Sequence, residues 1–213
     1  MPISKGSPYG GPAAFPVDGV VVGSDAAARE VIEWARRERR PPPTLGLLGG
    51  DLCRTLGGGA GVGRRAGDMR SGEDRLRTAG GVGFSVDQGE LLLDGRLHLF
   101  VAHLVARSRL WTRSFVAMNA QRLGAWNLGP RAHPGDGLLD TYDVHLKVSE
   151  LLPVRSRLHL GAHLPHPGIR ERRVGAIQIE LDNALPVYLD GERVGRGQRL
   201  VVRVEPDALT VVV

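Results

Sequence analysis

A glycine-rich turn followed by an acid is the first feature of the sequence that could do chemistry. Gly49, Gly50 and Asp51 come directly after the apolar run 44–48. Glycines at the end of a buried strand let backbone N–H groups approach a phosphate, and the acid can hold Mg²⁺ or a ribose hydroxyl. The same residues also fit a tight turn in which Asp51 caps a helix. The motif alone therefore leaves a nucleotide site and a plain turn both open.

A second acid, Glu192, follows the pair Asp190-Gly191, which is typical of a two-residue hairpin turn. On spacing alone, Glu192 is an exposed hairpin residue. In the other predicted hairpin, the residue that follows the turn Asp94-Gly95 is Arg96, so this turn does not require an acid.

Three histidines lie close together at His159, His163 and His166. Spacings of four and three would place them on one face of a helix, as zinc ligands often are. Gly161 and Pro165 argue against a helix, and an extended chain would separate the three side chains. We therefore expect no zinc site here.

Composition limits the class of protein. The chain has 213 residues, of which 42% are hydrophobic, 24% charged and 5% aromatic, and its net charge is +5. These values indicate a folded domain and exclude a disordered chain. The single cysteine, Cys53, excludes an internal disulfide and a multi-cysteine metal site. We expect no nucleic-acid partner, since few aromatic side chains are available for base stacking.

The positive charge favours anionic partners, including an anionic membrane surface. The arginine-rich stretches 36–40 and 170–173 each contain a glutamate, and we interpret both as solvated faces. No stretch is long enough to span a bilayer, because the longest mostly apolar one, 97–106, has about half the ~20 residues required. We therefore expect no transmembrane segment and a cytoplasmic protein, with peripheral membrane contact left open.

The N-terminal part has the pattern of a strand, a helix and a strand. Residues 1–16 are predicted to be a flexible leader, rich in proline and glycine. The apolar run 19–23, the helical pattern 26–40 after Ser24-Asp25, and the run 44–48 together form a βαβ unit with parallel strands. Residues 17–56 are thus predicted to be a small α/β lobe.

The C-terminal part has the pattern of short strands. Residues 57–81 are predicted to be a glycine-rich loop of unassigned role. From residue 82 onward, alternating apolar residues and Asp-Gly turns predict a β-sandwich over 82–213. Its last strand is a candidate to return to the first lobe. The fold class is therefore α+β, a small N-terminal α/β lobe followed by a C-terminal β-sandwich.

Four motifs in this order resemble the bacterial diacylglycerol kinase (lipid kinase) family, which shares its fold with sphingosine and NAD kinases. The likeness is weak over 17–56 and good over 115–213. The motifs are Gly49-Gly50-Asp51, Asn119, Asp136-Gly137-Leu138-Leu139-Asp140 and Asp190-Gly191-Glu192.

The resemblance implies a function and a set of site residues. It implies ATP-dependent phosphorylation of a lipid hydroxyl, with ATP bound at Gly49, Gly50 and Asp51. It implies that Glu192 removes the proton of the lipid hydroxyl, and that Asp136 with the Leu138 carbonyl belongs to a structural Mg²⁺ site. The family's Gly-x-His element implies that His163 supports the sandwich or lines the cleft.

The sequence departs from the family mainly on the nucleotide and metal side. Leu52 and Cys53 replace the Gly-Thr that completes the family's phosphate turn, and His133 replaces its first metal-site Asp. The family's first strand and glycine-rich helix start have no counterpart before Val17, so we expect the N-terminal nucleotide lobe to be truncated. A histidine is also a poorer Mg²⁺ ligand than a carboxylate.

Two functions follow as hypotheses. One is a lipid kinase that is degenerate at its nucleotide site, with weak or no activity, and with ATP and Mg²⁺ as cofactors only if it is active. The alternative is a non-catalytic module that uses the sandwich to bind a lipid or a partner. Neither the lipid nor the oligomeric state can be read from the sequence.

Overall fold

The computed structural model describes residues 9–59 and 66–213. The four helices within these ranges are α1 (Asp25–Arg37), α2 (Asp51–Thr55), α3 (Ala66–Ala79) and α4 (Val148–Leu158). The strands there are β1 (Gly11–Ala13), β2 (Val20–Val22), β3 (Leu45–Leu47), β4 (Gly81–Leu93), β5 (Arg96–Phe100), β6 (His103–Arg107), β7 (Arg113–Met118), β8 (Leu139–His145), β9 (Ile169–Val174), β10 (Ala176–Leu189) and β11 (Glu192–Val212).

The N-terminal unit contains the strand, helix and strand that the sequence predicts. Strands β2 and β3 are parallel, with Val20 opposite Leu45, and α1 connects them. Ser24 begins α1 because its side chain accepts a hydrogen bond from the Ala27 N–H at 3.2 Å. The parallel pairing brings the carboxyl ends of β2 and β3 to the same edge of the sheet.

Most of the molecule is an antiparallel sheet, ordered β1-β4-β11-β10-β6-β7-β8-β9, with β5 beside β4. Among the described residues after 82, far more lie in strands than in α4, the one helix there. This confirms the β-rich C-terminal domain. Two Asp-Gly turns form the hairpins β4–β5 and β10–β11, and both aspartates have left-handed backbones, with φ of +48° at Asp94 and +51° at Asp190.

The two parts share a sheet and a core. The far end of β11 pairs in parallel with β3, Val211 lying opposite Leu45, while it also pairs antiparallel with β4. One core cluster contains Ile32 and Leu52 of the N-terminal unit together with Val86 and Val211 of the long strands. The N-terminal unit therefore packs as part of one body, and residues at its edge face the strands of the larger part.

Two predicted irregular segments contain regular structure. Gly11–Ala13, inside the predicted leader 1–16, pairs with β4 as strand β1. Helix α3 occupies most of the predicted glycine-rich loop 57–81, where buried Leu76 packs in a cluster with Phe15 and Val212. Tertiary packing there outweighs the low helix propensity of its glycines. Residues 1–8 of the predicted leader and 60–65 of the predicted loop lie outside the described residues.

None of the helices in the described ranges, of which α3 with 14 residues is the longest, is long and apolar enough to cross a bilayer.

Candidate functional site

The predicted phosphate turn lies at the edge where β2 and β3 end. Asp51 is the first residue of α2, and Gly49 and Gly50 join it to β3. A Cβ atom at Gly49 would lie 2.5 Å from the carbonyl oxygen of Gly23, and Gly50 has a φ of +102°. The glycines are therefore required by close packing of this turn against the loop after β2.

The backbone donors of the turn are already used. The carboxylate of Asp25, the first residue of α1, accepts hydrogen bonds from the N–H groups of Asp51 and Leu52, the second at 3.1 Å. Asp25 is buried, with 7% of its surface exposed. A carboxyl group that belongs to the chain itself thus lies where the resemblance would put a phosphate of ATP.

Asp51 is held by its own set of donors. Its Oδ2 accepts hydrogen bonds from the backbone N–H of Gly124 at 2.9 Å and from Nε2 of His103 at 3.0 Å, and its Oδ1 pairs with Arg54. His103 is the first residue of β6 and is 3% exposed. Both carboxylate oxygens of Asp51 are therefore occupied by protein donors.

Asp190 completes a buried charged cluster with Asp25, Asp51 and His103. Its carboxylate accepts three backbone hydrogen bonds, from the N–H groups of Val101, Ala102 and His103, at 3.0, 2.9 and 3.1 Å. These bonds tie the β10–β11 turn to the segment that enters β6. We call Asp25, Asp51, His103 and Asp190 the acid–histidine cluster.

Burial and mutual charge shift the pKa values in this cluster. Burial and the nearby Asp190 raise the pKa of Asp25 to about 7. Burial would lower the pKa of His103, but the hydrogen bond to Asp51 and the surrounding carboxylates outweigh it, so the pKa is raised. Burial would raise the pKa of Asp51, but the donors from His103 and Gly124 outweigh it, so the pKa is lowered.

The melting temperature is expected to fall as pH rises from 5.5 to 8. Folded Asp25 keeps a proton that the unfolded chain releases near pH 4, so its burial becomes more unfavourable as pH approaches 7. The contribution of charged His103 is complete below about pH 6.5 and is lost above it as the folded pKa is passed. Asp51, with its lowered pKa, is ionised throughout this window.

Thermal unfolding at pH 5.5, 7 and 8 measures this effect. We expect a fall of at least about 3 °C, which is about 1 kcal/mol for a chain of this size. Asp25→Asn removes one titrating group and should flatten the profile. A melting temperature that rises over this window would contradict these pKa directions.

Glu192 lies beside the cluster but is held by an arginine. Its Oε2 is 2.5 Å from Nη2 of Arg29, a buried residue of α1 that also pairs with Glu33 at 3.3 Å. The side chain of Glu192 is 52% exposed and that of Arg29 is 8% exposed. The predicted base is therefore half-exposed, and the guanidinium of Arg29 compensates its charge.

The predicted Mg²⁺ residues are engaged differently from a metal site. One carboxylate oxygen of Asp136 accepts the backbone N–H of Leu138 at 3.0 Å, and the other pairs with Arg173. Arg173 also donates to Asp140 at 2.9 Å. A guanidinium therefore provides the positive charge there, and the residues do not fit a Mg²⁺ ion in this arrangement. His133 accepts a backbone N–H from Gly135 at 3.3 Å.

Two further groups of side chains contain histidine and have the residue types of metal ligands. Asp25, Asp51 and His103 offer ligand atoms within 4.8 Å of one another, the one such group of three or more in the described ranges. The carboxylate oxygens of Asp25 and Asp51 already accept N–H groups, whereas Nδ1 of buried His103 has no hydrogen-bond partner among the described residues. His159, His163 and His166 are not brought together as such a group.

A large apolar cavity lies farther along the sheet. Its volume is about 550 Å³, within the range of ~300–1,000 Å³ of ligand pockets in proteins. Strands β7 and β8 contribute Val116 and Val144, and α4 contributes Leu151, Val154 and Leu158. The residues of the acid–histidine cluster do not line it.

His163 and the strand β6 both contribute to the lining of this cavity. His163 lines the cavity, its ring centre lies 5.9 Å from that of Tyr142, and burial lowers its pKa, so it is a neutral packing residue. Arg107, at the far end of β6 from His103, also lines the cavity. His103 and Arg107 are four positions apart along the strand, which corresponds to a distance of about 13 Å.

Sequence reasoning missed four residues of the site. Asp25 follows the N-cap Ser24 and reads as an ordinary first-turn acid, His103 lies in an apolar run, and Asp190 reads as a turn residue. Arg29 reads as part of a polar helix face. The one available signal was the pair of βα junctions, since the ends of β2 and β3 must lie side by side.

Comparisons with known proteins agree with this architecture. A family model described as the YegS C-terminal NAD kinase beta sandwich-like domain matches residues 84–213, more than half of the chain. No curated protein matches the sequence.

Solved structures assigned as diacylglycerol kinases from Bacillus anthracis str. Sterne share the fold. One has a TM-score of 0.63 at 16% identity and covers 92% of this chain and 78% of that chain. Another has a TM-score of 0.60 at 16% identity, with 93% and 77% covered. The chain therefore belongs to the family of the YegS C-terminal NAD kinase beta sandwich-like domain, and it shares its overall fold with these solved structures.

Proposed function

We propose that this protein is a lipid-binding member of its family in which phosphoryl transfer from ATP is weak or absent. The observation that carries the proposal is the position of Asp25, whose carboxylate accepts the N–H groups of Asp51 and Leu52. A phosphate at this turn would have to displace the Asp25 carboxyl group from the two N–H groups that it occupies. It would also approach Asp51 and Asp190, which add like charge.

The side chain of Leu52 supports the same conclusion. Leu52 is fully buried in the core cluster shared by the two parts of the molecule, where the family has glycine. The backbone at this position is therefore committed to packing and cannot rearrange to close on a phosphate.

The predicted base and the predicted metal-site acid are each paired with an arginine. Glu192 is held by Arg29 in an ion pair, with Oε2 2.5 Å from Nη2. Asp136 is paired with Arg173 and does not fit Mg²⁺. Phosphoryl transfer depends on a metal ion and on backbone donors that neutralise phosphate charge. Here the backbone donors of the turn already bind Asp25, and Asp136 of the predicted metal site already binds Arg173.

The apolar cavity supports the lipid side of the proposal. It is lined by aliphatic and aromatic side chains of β7, β8 and α4, which is the surface that an acyl chain needs. A lipid in this cavity would require none of the groups of the acid–histidine cluster.

A working lipid kinase is the second candidate. It is favoured by the half-exposed side chain of Glu192 and by the retained Gly49, Gly50 and Asp51 at the edge of the sheet. In that case ATP binding would have to move Asp25 away from the start of α2.

ATP with Mg²⁺ is expected to leave the melting temperature unchanged within about 1 °C. A ligand at ~100 times its dissociation constant stabilises a protein by about 2.7 kcal/mol, which is about 5–10 °C for a chain of this length. Differential scanning fluorimetry with ATP, Mg²⁺ and both together measures this. A shift of several degrees that requires both would contradict the proposal.

Transfer of labelled phosphate from ATP to diacylglycerol separates the two candidates. We expect no product from the wild-type protein. Robust product that falls 10²–10⁴-fold in Glu192→Gln, the typical effect of losing a general base, would establish the kinase instead. The substitution keeps size but removes the charge paired with Arg29, so the melting temperature of the variant is measured beside its activity to show that it is folded.

A further inference from the structure

The mouth of the apolar cavity is surrounded by exposed aliphatic side chains. Leu110, Val148 and Leu152 all line the cavity, yet they are 59%, 66% and 78% exposed. Leu110 lies in the β6–β7 connection, and the other two lie on α4. Exposed apolar groups clustered at the rim of a pocket are typical of an interaction surface.

The charged residues that line this cavity all carry positive charge. Arg107, Arg109 and Arg155 line the cavity, whereas no aspartate or glutamate is among its lining residues within the described chain. The nearby acid Glu150 is used to cap α4, where it accepts the Lys147 N–H at 2.8 Å. The mouth therefore presents positive charge to whatever faces it.

Two tryptophans complete the pattern. Trp111 and Trp126 both line the cavity and pack edge to face, with ring centres 5.7 Å apart. Arg107 lies over the ring of Trp111 at 4.9 Å, and Arg155 lies over that of Trp126 at 5.5 Å. Tryptophan and arginine beside aliphatic side chains are the residues that proteins place at a membrane–water interface.

We propose that this mouth, formed around Leu110, Val148, Leu152, Arg109 and Arg155, docks on the surface of an anionic phospholipid bilayer. The exposed aliphatic side chains enter the boundary between head groups and acyl chains, and the arginines contact the phosphates. Docking places the opening of the cavity against the lipids. The inference rests on the proposed lipid-binding function and adds how the lipid is reached.

The two other arginine-rich stretches fit a bilayer less well. Arg173, in the second stretch, is already paired with Asp136 and Asp140. The first stretch, 36–40, follows the half-exposed Trp34 but does not contribute to the lining of this cavity. The stretch 36–40 therefore serves as a control surface, which carries positive charge but has no part in this apolar cavity.

Co-sedimentation with vesicles tests the docking surface. The probes are vesicles of equal parts phosphatidylglycerol and phosphatidylcholine, and vesicles of phosphatidylcholine alone. We expect at least about tenfold stronger binding to the anionic vesicles, and at least about tenfold loss in Leu152→Glu and in the double variant Arg109→Glu/Arg155→Glu. These side chains are exposed, so folding should be unaffected.

Matched variants control for charge and hydrophobicity. Val17→Glu adds the same charge at an aliphatic residue that is 96% exposed, and Arg36→Glu/Arg37→Glu reverses two charges at the end of α1. Both should change binding less than about twofold. Binding that is lost in Arg36→Glu/Arg37→Glu but kept in Arg109→Glu/Arg155→Glu would overturn the proposal, as would equal binding to both vesicles.

A second arm separates failure of docking from failure of lipid binding. A monomeric long-chain fatty acid, below its critical micelle concentration, is titrated into Trp34→Phe, where tryptophan emission reports Trp111 and Trp126. Uptake of the fatty acid without vesicle binding overturns the docking surface and leaves the proposed lipid binding standing. Vesicle binding that shows the expected variant pattern, with no uptake, supports docking and contradicts lipid binding in the cavity.

Discussion

Leu52→Gly is expected to lower the free energy of unfolding by about 4–5 kcal/mol. The substitution restores the glycine that the family has in its phosphate turn, but here it removes a fully buried side chain from the shared core. Loss of a buried leucine costs about 2–5 kcal/mol, and glycine in place of a helical residue adds about 1 kcal/mol. The expected result is therefore a weakened core rather than gain of a nucleotide site.

Denaturant unfolding of wild type, Leu52→Gly and Leu152→Gly measures the effect. Leu152 is also a helical leucine, but it is 78% exposed, so the control carries the glycine penalty without the cavity. We expect Leu152→Gly to lose about 1 kcal/mol. If Leu52→Gly lost no more than this control, Leu52 would not be the packing residue that separates this chain from a working phosphate turn.

Asp190→Asn is expected to cost about 3 kcal/mol of stability. The carboxylate is buried, with 7% of Asp190 exposed, and accepts three backbone N–H groups; a buried donor left without an acceptor costs about 1–3 kcal/mol. An asparagine amide keeps one acceptor oxygen and turns an NH₂ group toward the remaining donors. Because asparagine tolerates the left-handed backbone at this position, the loss reports the hydrogen bonds.

The other hairpin supplies the control. Asp94 occupies the same place in an Asp-Gly turn, with a φ of +48°, but it is exposed. Asp94→Asn should change the unfolding free energy by less than about 0.5 kcal/mol. Equal effects at Asp94 and Asp190 in urea unfolding would mean that the turn, and not the three N–H groups, makes Asp190 important.

Local patterns predicted the parts of the fold that local chemistry determines. The Asp-Gly turns require left-handed backbones, and both hairpins formed where these pairs stand. Helix α1 begins where Ser24 can cap it. Helix α3 and strand β1 were missed because their glycine-rich sequences are held by distant partners, such as Leu48 and β4, that no short window contains.

The candidate site could be predicted only in part, for the same reason. Gly49, Gly50, Asp51 and Glu192 were found because their motifs resemble a family. Their partners Asp25, Arg29 and His103 carry no motif, and they matter only because the chain brings them to these residues from elsewhere. A sequence pattern names a group that can do chemistry, whereas the donors already bound to it determine whether it is free.

The parallel pairing of β3 with the far end of β11 also has a consequence for synthesis. Val211 lies opposite Leu45, so one side of β3 is completed by residues made 166 positions later. At translation rates of about 5–20 residues per second, the apolar strand β3 waits roughly 8–33 seconds for this partner. During that interval its unpaired edge is a template for other strands, which makes the nascent N-terminal unit a natural client for a chaperone.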